Sequence, residues 1–292
     1  MATFSPATHR HSYKAIDPNR PALSQKGRTV VVTGGSTGIG YAIARAFAQA
    51  SADRVIILGR RAETVNNAVD SLRTVLPSSF QGEVQGRVVN IASMESIDAF
   101  WDKLHEDNIN VDVVVLNAAS FSKVAPVLEL GVETLLQDYQ VNVLAGYRFA
   151  QRLSKQNLGV KKYLLNVSTI AIHKPDLAPA NLNYGASKNA AALLLQLMAR
   201  NVPDHEIQII SFHPGAVLTE TARAHGYDEN TLPWDDVDVP GHFAVWAASD
   251  EAKFLHGRFV HATWDVTDLQ AGEAKALING DPDFLKIGVK GL

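Results

Sequence analysis

The sequence of 292 residues contains no cysteine. Disulfide bonds, thiolate metal sites and cysteine nucleophiles are therefore excluded. The ten histidines show no metal-binding spacing such as His-Glu-x-x-His, so we expect no metal site. The net charge of −3 offers no basic field that would attract nucleic acid or anionic lipid. These absences leave a small molecule as the expected partner.

Long hydrophobic runs are also absent. No run approaches the ~20 apolar residues that a membrane-spanning helix needs. The polar first twenty residues lack the apolar middle of a signal peptide. The last three residues, Lys-Gly-Leu, are not a peroxisomal signal of the Ser-Lys-Leu type. The sequence therefore predicts a cytoplasmic protein with no membrane partner.

Apolar runs of strand length alternate with helical segments from residue 28 onward. Strands are predicted at residues 29–33, 54–58, 85–90, 111–117, 163–168, 208–213 and 258–262. Helices are predicted at residues 41–50, 64–76, 96–105, 133–154 and 184–200. This alternation predicts a single α/β domain, a doubly wound parallel sheet with helices on both faces, rather than an α/β barrel.

A glycine-rich turn joins the first predicted strand to the first predicted helix. It consists of Gly34, Gly35, Ser36, Thr37, Gly38, Ile39 and Gly40. Glycines permit a tight turn and let the backbone approach a pyrophosphate, which the positive end of the helix dipole then attracts. The strand–turn–helix context makes the turn good evidence for a dinucleotide site in a Rossmann-type domain.

The turn after the second predicted strand indicates which dinucleotide is bound. It carries Arg60 and Arg61 and no acidic residue. An acid at this point would accept hydrogen bonds from the ribose hydroxyls of NAD(H) and repel a 2′-phosphate. Guanidinium groups bind phosphate well. The pair therefore favours NADP(H), with a solvated arginine pair at a helix start as the alternative.

Tyr184 and Lys188 lie four residues apart, on one face of a predicted helix. A nearby ammonium and the positive ring of an oxidised nicotinamide lower the pKa of a tyrosine, which can then exchange a proton with a substrate. The spacing is common by chance, so context matters. Ser168 and Thr169 end an upstream strand, and either hydroxyl could hold a substrate oxygen. Alternating strand geometry points them to opposite sides, which leaves the choice open.

The order of these motifs resembles the short-chain dehydrogenase/reductase family over residues 28–262, and the chain is similar to fungal members found in secondary-metabolite pathways. The resemblance implies an oxidoreductase that passes hydride between NADP(H) and a carbonyl or alcohol carbon. It implies Tyr184, Lys188 and Asn142 as catalytic residues, together with Ser168 or Thr169, of which Thr169 takes the family's usual serine position. The interval from Thr169 to Tyr184 is longer than usual, so residues 173–182 are expected to enlarge the pocket wall.

The same resemblance implies further cofactor contacts. These are Asn90, Asn117, Ala118, Pro214, Gly215, Val217 and Thr219, in addition to Tyr184, Lys188 and the glycine-rich turn. Asn90 replaces the family's usual aspartate, and Asn117-Ala118 matches the family segment only loosely. Helices 133–154 and 184–200 resemble those through which the family forms homodimers and homotetramers.

The chain is expected to divide into a leader at residues 1–27 and one NADP-binding catalytic domain at residues 28–292. Within that domain, residues 217–240 would form a substrate lid and residues 265–292 a tail. Trp234, Tyr227 and Leu232 in the lid favour an apolar or aromatic substrate. Asp235 and Asp236 are expected to form a solvated turn. The alternatives to a redox enzyme are a cyclase or isomerase with structural NADP and a cofactor-sensing binding protein.

Overall fold

The computed structural model describes residues 4, 6–122, 125, 127–177 and 182–289. Residues 178–181 of the predicted pocket wall, and the ends of the predicted leader and tail, lie outside this set. A seven-stranded parallel sheet occupies the centre, in the order β3-β2-β1-β4-β5-β6-β7. The strands are β1 (Thr29–Thr33), β2 (Arg54–Gly59), β3 (Glu83–Val88), β4 (Val113–Leu116), β5 (Lys162–Val167), β6 (Ile207–His213) and β7 (Phe259–His261). This confirms the doubly wound α/β fold.

Helices cover both faces of the sheet. They are α1 (Gly38–Gln49), α2 (Ala62–Val75), α3 (Met94–Glu106), α4 (Val132–Tyr139), α5 (Ala145–Ser154), α6 (Leu182–Ala199), α7 (Glu220–Ala224), α8 (Asp238–Ala247), α9 (Val266–Leu269) and α10 (Gly272–Gly280). The predicted helix at residues 133–154 is divided by a π-helical turn at Gln140–Leu144. All five predicted helices are therefore present, one of them interrupted.

Two apolar layers hold the helices to the sheet. On one face, Phe47 of α1 packs in a cluster with Phe243 and Trp246 of α8. On the other face, Trp101 of α3 and Phe149 of α5 pack edge to face. Because strands between two such layers are covered on both sides, β4 consists of buried valine and leucine and β1 of three buried valines between two buried threonines.

Helix α8 was not predicted from the sequence. Nearly all of its residues are buried, so it has no polar face that would produce a helical periodicity. It packs across α1, where an added Cβ on Gly241 would lie 2.9 Å from the Ala42 carbonyl oxygen. The helix extends the core beyond the predicted lid.

The N-terminal segment packs against the body of the protein. Thr8 forms an antiparallel bridge with Trp264, just after β7. The Tyr13 hydroxyl donates to the Trp264 carbonyl oxygen at 3.0 Å. Ile16 and Leu23 have no exposed surface and belong to the core. The described part of the predicted leader therefore contributes to packing.

The C-terminal segment covers the free edge of β7. The backbone N–H of Phe259 donates to the Leu285 carbonyl oxygen at 2.8 Å, and the Arg258 side chain donates to the Ile278 carbonyl oxygen. An uncovered edge strand would present unpaired backbone groups to other chains. No helix in the described ranges is long and apolar enough to cross a membrane.

Candidate active site

The glycine-rich turn between β1 and α1 has little room for a side chain at its glycine positions. Gly34 and Gly38 have positive φ angles of 62° and 53°. A Cβ on Gly40 would lie 2.2 Å from the Gly34 carbonyl oxygen. The Thr37 side chain does not cap α1, which leaves the first N–H groups of the helix without that partner. The predicted turn is thus an open cradle of backbone groups.

Asn117 holds this turn from the neighbouring strand. Its side-chain amide donates to the carbonyl oxygens of Thr33, at 3.0 Å, and Gly34, at 3.1 Å. The Thr33 hydroxyl accepts from the backbone N–H groups of Asn117 and Ala118. These bonds fix the ends of β1 and β4 relative to each other. They also leave Asn117 no amide hydrogen free for a ligand.

Arg60 and Arg61 follow β2 and are both exposed. Neither side chain has a hydrogen bond or ion pair with another described residue. The hydroxyl of Ser36 lies beside the end of β2, 3.2 Å from where a Cβ on Gly59 would stand. Two cations therefore follow the strand end at which the Ser36 hydroxyl lies, while the Ile39 side chain of the turn packs toward the core.

Asn90 lies exposed beyond β3. Its side-chain oxygen accepts from the Ala92 N–H at 3.2 Å, and its backbone N–H donates to the Ser96 hydroxyl. One oxygen lone pair is therefore already used locally. The amide nitrogen has no described partner.

Thr169, rather than Ser168, lies beside Tyr184. The Thr169 hydroxyl lies close enough to that of Tyr184 to favour its ionised form. The Ser168 hydroxyl is buried and has no hydrogen-bond partner among the described residues. Burial raises the pKa of Tyr184, and the Thr169 hydroxyl partly opposes this rise. The structure therefore distinguishes the hydroxyl of Thr169 from that of Ser168, which the sequence alone could not do.

Lys188 is fully enclosed one helical turn after Tyr184. Its ammonium donates to the Val167 carbonyl oxygen at 2.5 Å, and no described carboxylate pairs with it. Burial lowers the pKa of Lys188 to about 8. An enclosed cation without an anionic partner is costly and is characteristic of functional sites.

Asn142 lies in the π-helical turn at Gln140–Leu144, a type of distortion that is frequent at functional sites. Its amide nitrogen donates to the Ser120 carbonyl oxygen at 3.0 Å and to the Ser187 hydroxyl at 2.9 Å. Its side-chain oxygen accepts from the Ser120 N–H at 2.8 Å. Asn142 therefore ties the segment after β4 to α6. A neighbouring cavity reaches Asn142 and Lys188 and has room for roughly one water molecule.

Phe121 was not predicted as a site residue. Its ring stacks on the Tyr184 ring, with centroids 4.2 Å apart and planes 18° apart. It also faces His225, which follows α7 in the predicted lid, at 5.9 Å. Phe121 is 43% exposed, so part of the ring is available to a ligand. In the sequence, an aromatic residue shortly after Asn117 could have indicated that Phe121 belongs to the site.

The segment after β6 approaches the glycine-rich turn. Gly215, after Pro214, has a φ of 96°. Thr219 caps α7 by accepting from the Ala222 N–H. Its methyl carbon lies 3.2 Å from where a Cβ on Gly38 would stand. Thr219 is therefore close to the turn, as predicted, but its hydroxyl is used by the cap. Val217 is partly buried in the same segment.

One expectation about the lid requires correction. Asp235 does not sit in a solvated turn, because its carboxylate accepts from the Ala216 N–H at 2.8 Å. The indole N–H of Trp234 donates to the Asp228 carbonyl oxygen, and its ring meets Tyr227 edge-on at 6.0 Å. These two rings pack against each other within the lid, so Phe121 is the aromatic ring at Tyr184.

Comparison with known proteins identifies the family. The model of the short chain dehydrogenase family matches residues 28–230, well over half of the chain. The chain belongs to this family. It is 35% identical over 283 residues to a short chain dehydrogenase/reductase of Claviceps purpurea, covering 95% of this chain and 91% of that protein. It is 31% identical over 281 residues to the short chain dehydrogenase/reductase AacuD of Aspergillus aculeatus, covering 96% and 94%. The protein is accordingly a short-chain oxidoreductase.

Solved structures agree with the fold of this short-chain dehydrogenase. The L-sorbose reductase of Gluconobacter frateurii, solved with NADPH and L-sorbose, gives a TM-score of 0.72 at 22% identity, over 82% of this chain and 96% of that one. Pseudomonas aeruginosa RhlG, solved with NADP, gives 0.73 at 22% identity, over 83% and 97%. At such identities the likeness concerns the architecture alone.

Three histidines meet at the carboxyl ends of the last strands of this dehydrogenase. The rings of His213 and His261 are 5.1 Å apart, and His173 lies 5.9 Å from His261. Burial lowers the pKa of His213 to about 4 and that of His261 to about 3, and the charges of His173 and Lys174 contribute. The described residues contain no group of three ligands arranged to hold a metal ion. This neutral cluster was not predicted, because it joins three distant segments.

We expect the protein to lose stability as the pH falls below about 6.5, where ordinary histidines take up protons. In the unfolded chain His213 and His261 are protonated there, whereas in the folded protein they stay neutral down to pH about 4 and about 3. The unfolded state therefore binds more protons. Between pH about 6.5 and about 5 the free energy of unfolding should fall by on the order of 2 kcal/mol, measured by denaturant unfolding at each pH.

The double variant His213→Gln/His261→Gln should lose most of this dependence on pH. The control His205→Gln changes an exposed histidine in the turn before β6 and should keep it. A double variant with the same pH dependence as the unaltered protein would contradict the assignment.

Proposed function

We propose that the protein is an NADP(H)-dependent reductase or dehydrogenase that acts on a carbonyl or alcohol group of a small apolar or aromatic metabolite. The observation that carries the proposal is the placement of the Thr169 hydroxyl beside Tyr184, one helical turn from the enclosed Lys188 and on the same edge of the sheet as the glycine-rich turn. These groups are what proton transfer beside a dinucleotide requires.

The residues present fit a dinucleotide. The turn has no side chain between its backbone and a pyrophosphate, and α1 begins there without a side-chain cap. Arg60 and Arg61, with Ser36 beside them, would hold the 2′-phosphate of NADP(H), since both guanidinium groups are exposed and unpaired among the described residues. When bound, NADP(H) supplies or accepts the hydride. Two solved structures of similar fold contain NADPH or NADP, which agrees with this cofactor.

Tyr184 would serve as the acid and base. Burial alone raises the pKa of its hydroxyl, so the neutral phenol is ready to donate a proton to a forming alkoxide. Thr169 would hold the substrate oxygen beside that proton by a hydrogen bond. In the oxidation direction the phenolate is needed, and the enclosed Lys188 ammonium favours it. Asn142 would then support proton exchange through the small cavity that it shares with Lys188.

The remaining cofactor contacts predicted from the sequence are also part of the proposal. Asn117 and Ala118 would act by shaping the turn, since their polar groups already bond to Thr33 and Gly34. Pro214, Gly215, Val217 and Thr219 would line the nicotinamide side, and Asn90 the adenine side. Ser168 is not assigned a catalytic role, because its hydroxyl does not bond to Tyr184.

The partly exposed ring of Phe121 supports an apolar or aromatic substrate, since flat rings stack favourably. The fungal relatives support a role in secondary metabolism. Because the acid–base residues are intact, a cyclase, an isomerase or a cofactor-sensing binding protein without turnover is a weaker candidate function. Exposed Leu144, Tyr147 and Leu197 on the outer faces of the π-helical turn, α5 and α6 support a homodimer or homotetramer. We retain the cytoplasm as the proposed location.

The redox assignment predicts that NADPH absorbance falls when the protein turns over members of a panel of aromatic and aliphatic ketones. Tyr184→Phe keeps the ring stacked on Phe121 but removes the proton, so kcat should fall by roughly 10²- to 10⁴-fold. The matched control Tyr227→Phe removes the hydroxyl of a lid tyrosine and should change kcat little. A Tyr184→Phe variant with unaltered turnover would refute the proposed mechanism.

The cofactor assignment predicts that Arg60→Ala weakens NADPH binding by on the order of tenfold or more, because a charge-assisted bond to the 2′-phosphate is lost. NADH lacks this phosphate, so its dissociation constant should hardly change. Titration of reduced-nicotinamide fluorescence measures both. Arg73→Ala, in the last turn of α2, is the control and should affect neither. Equal loss of NADPH and NADH binding in Arg60→Ala would remove the phosphate role.

A further inference from the structure

Two consecutive aspartates connect the N-terminal segment to the loop that follows β6. The backbone N–H of Asp236 donates to the Arg10 carbonyl oxygen at 2.8 Å. The backbone N–H of Asp235 donates to the Ala216 carbonyl oxygen at 2.7 Å. The Asp235 carboxylate then accepts from the Ala216 N–H at 2.8 Å. Ala216 is therefore held through both of its backbone polar groups by one residue.

Gly215 packs directly against the Asp235 carboxylate. A Cβ at this position would lie 2.6 Å from the Asp235 side-chain oxygen, and the φ of 96° is one that side chains rarely adopt. The loop can take this path only because residue 215 is glycine and residue 235 supplies an acceptor. The contact thus determines the backbone course immediately after β6.

The N-terminal segment is held on both sides of its contact with Asp236. On one side, the His9 N–H donates to the Thr263 carbonyl oxygen at 2.7 Å, and the His9 ring pairs with Asp265. On the other side, the Ser12 hydroxyl bonds to the His242 ring of α8 at 2.5 Å. Burial raises the pKa of Asp235 above its ordinary value, and the Ala216 N–H and the charges of Arg10 and His11 oppose part of this rise.

The other end of the same loop lies at the glycine-rich turn. Thr219 is within van der Waals reach of Gly38, as described above. The four residues 216–219 therefore connect Ala216, which Asp235 holds, to Thr219 beside the proposed pyrophosphate site. A shift at Ala216 would move the segment assigned to the nicotinamide side of the cofactor.

We propose that Asp235 is a positioning residue for cofactor binding, and that the N-terminal segment around Arg10 keeps it in place. This rests on the proposed function, since it concerns the same NADP(H) site. Asp235 does not touch the reacting atoms. Its effect is to hold Ala216, and with it residues 214–219, in the course that receives the cofactor.

The test is the dissociation constant for NADPH, measured by fluorescence titration of the full chain without any substrate. Asp235→Ala removes a charge-assisted hydrogen bond, and NADPH binding should weaken about tenfold. KM for NADPH should rise in parallel, while kcat at saturating NADPH stays within about twofold. Asp235→Asn keeps a side-chain oxygen that can accept from Ala216, and should restore most of the affinity.

Asp112→Ala is the matched control. The Asp112 carboxylate also accepts a backbone N–H at 2.8 Å, from Thr29, and burial raises its pKa too, but it lies at the opposite end of the sheet. We expect its loss to lower the melting temperature without weakening NADPH binding. If Asp112→Ala weakens NADPH as much as Asp235→Ala does, the effect is general destabilisation and the proposal fails.

The variant His9→Ala/Ser12→Ala loosens the N-terminal segment more gently, and applies even if Asp235→Ala does not fold. NADPH binding should weaken about two- to threefold. An unchanged dissociation constant for this variant would show that the N-terminal segment plays no part. An unchanged dissociation constant for Asp235→Ala would overturn the proposal about Asp235 and leave the proposed function intact. If the unaltered protein binds no NADPH, the proposed function and the proposal about Asp235 both fail.

Discussion

Parallel pairing of the strands is the constraint on which the site depends. Because β1, β4, β5 and β6 run in the same direction, the segments that follow them emerge at one edge of the sheet. The glycine-rich turn, Asn117, Thr169 and the loop after β6 all lie there for this reason. Residues far apart in the sequence thereby come together without any disulfide.

Burial shifts the pKa values of Tyr184 and Lys188 in opposite directions. It raises the pKa of Tyr184 and lowers that of Lys188, so both groups favour their neutral forms more than they would in water. A phenolate at neutral pH therefore needs a further positive charge nearby. The oxidised nicotinamide of the proposed cofactor would bring such a charge, which would couple the acid–base chemistry to cofactor binding.

The parts that could be predicted from the sequence are those set by local pattern. Each strand lies within two residues of its predicted position. Strands β1, β2 and β4 were visible because strands covered on both faces are rich in Val, Ile and Leu. The glycine-rich turn was also visible, since residues there must lack a Cβ. Helix α8 was missed for the opposite reason: a helix buried on all sides has no periodic polar face.

The parts that could not be predicted depend on contacts between distant segments. Thr169 and Ser168 are equivalent in sequence terms, and only the position of Tyr184 distinguishes them. The sequence predicted a solvated Asp235, whereas in the fold its carboxylate accepts a hydrogen bond from the Ala216 N–H. Phe121 becomes a site residue only because α6 places Tyr184 under its ring. In each case the local sequence permitted the role and the fold decided it.

We propose that Tyr184 ionises under the influence of a bound oxidised cofactor. Tyrosinate absorbance can be titrated against pH for the unaltered protein and for Tyr184→Phe, each with and without NADP⁺, so that the difference isolates one tyrosine among seven. We expect NADP⁺ to move the ionisation of Tyr184 to a distinctly lower pH. The same titration midpoint with and without bound NADP⁺ would contradict it.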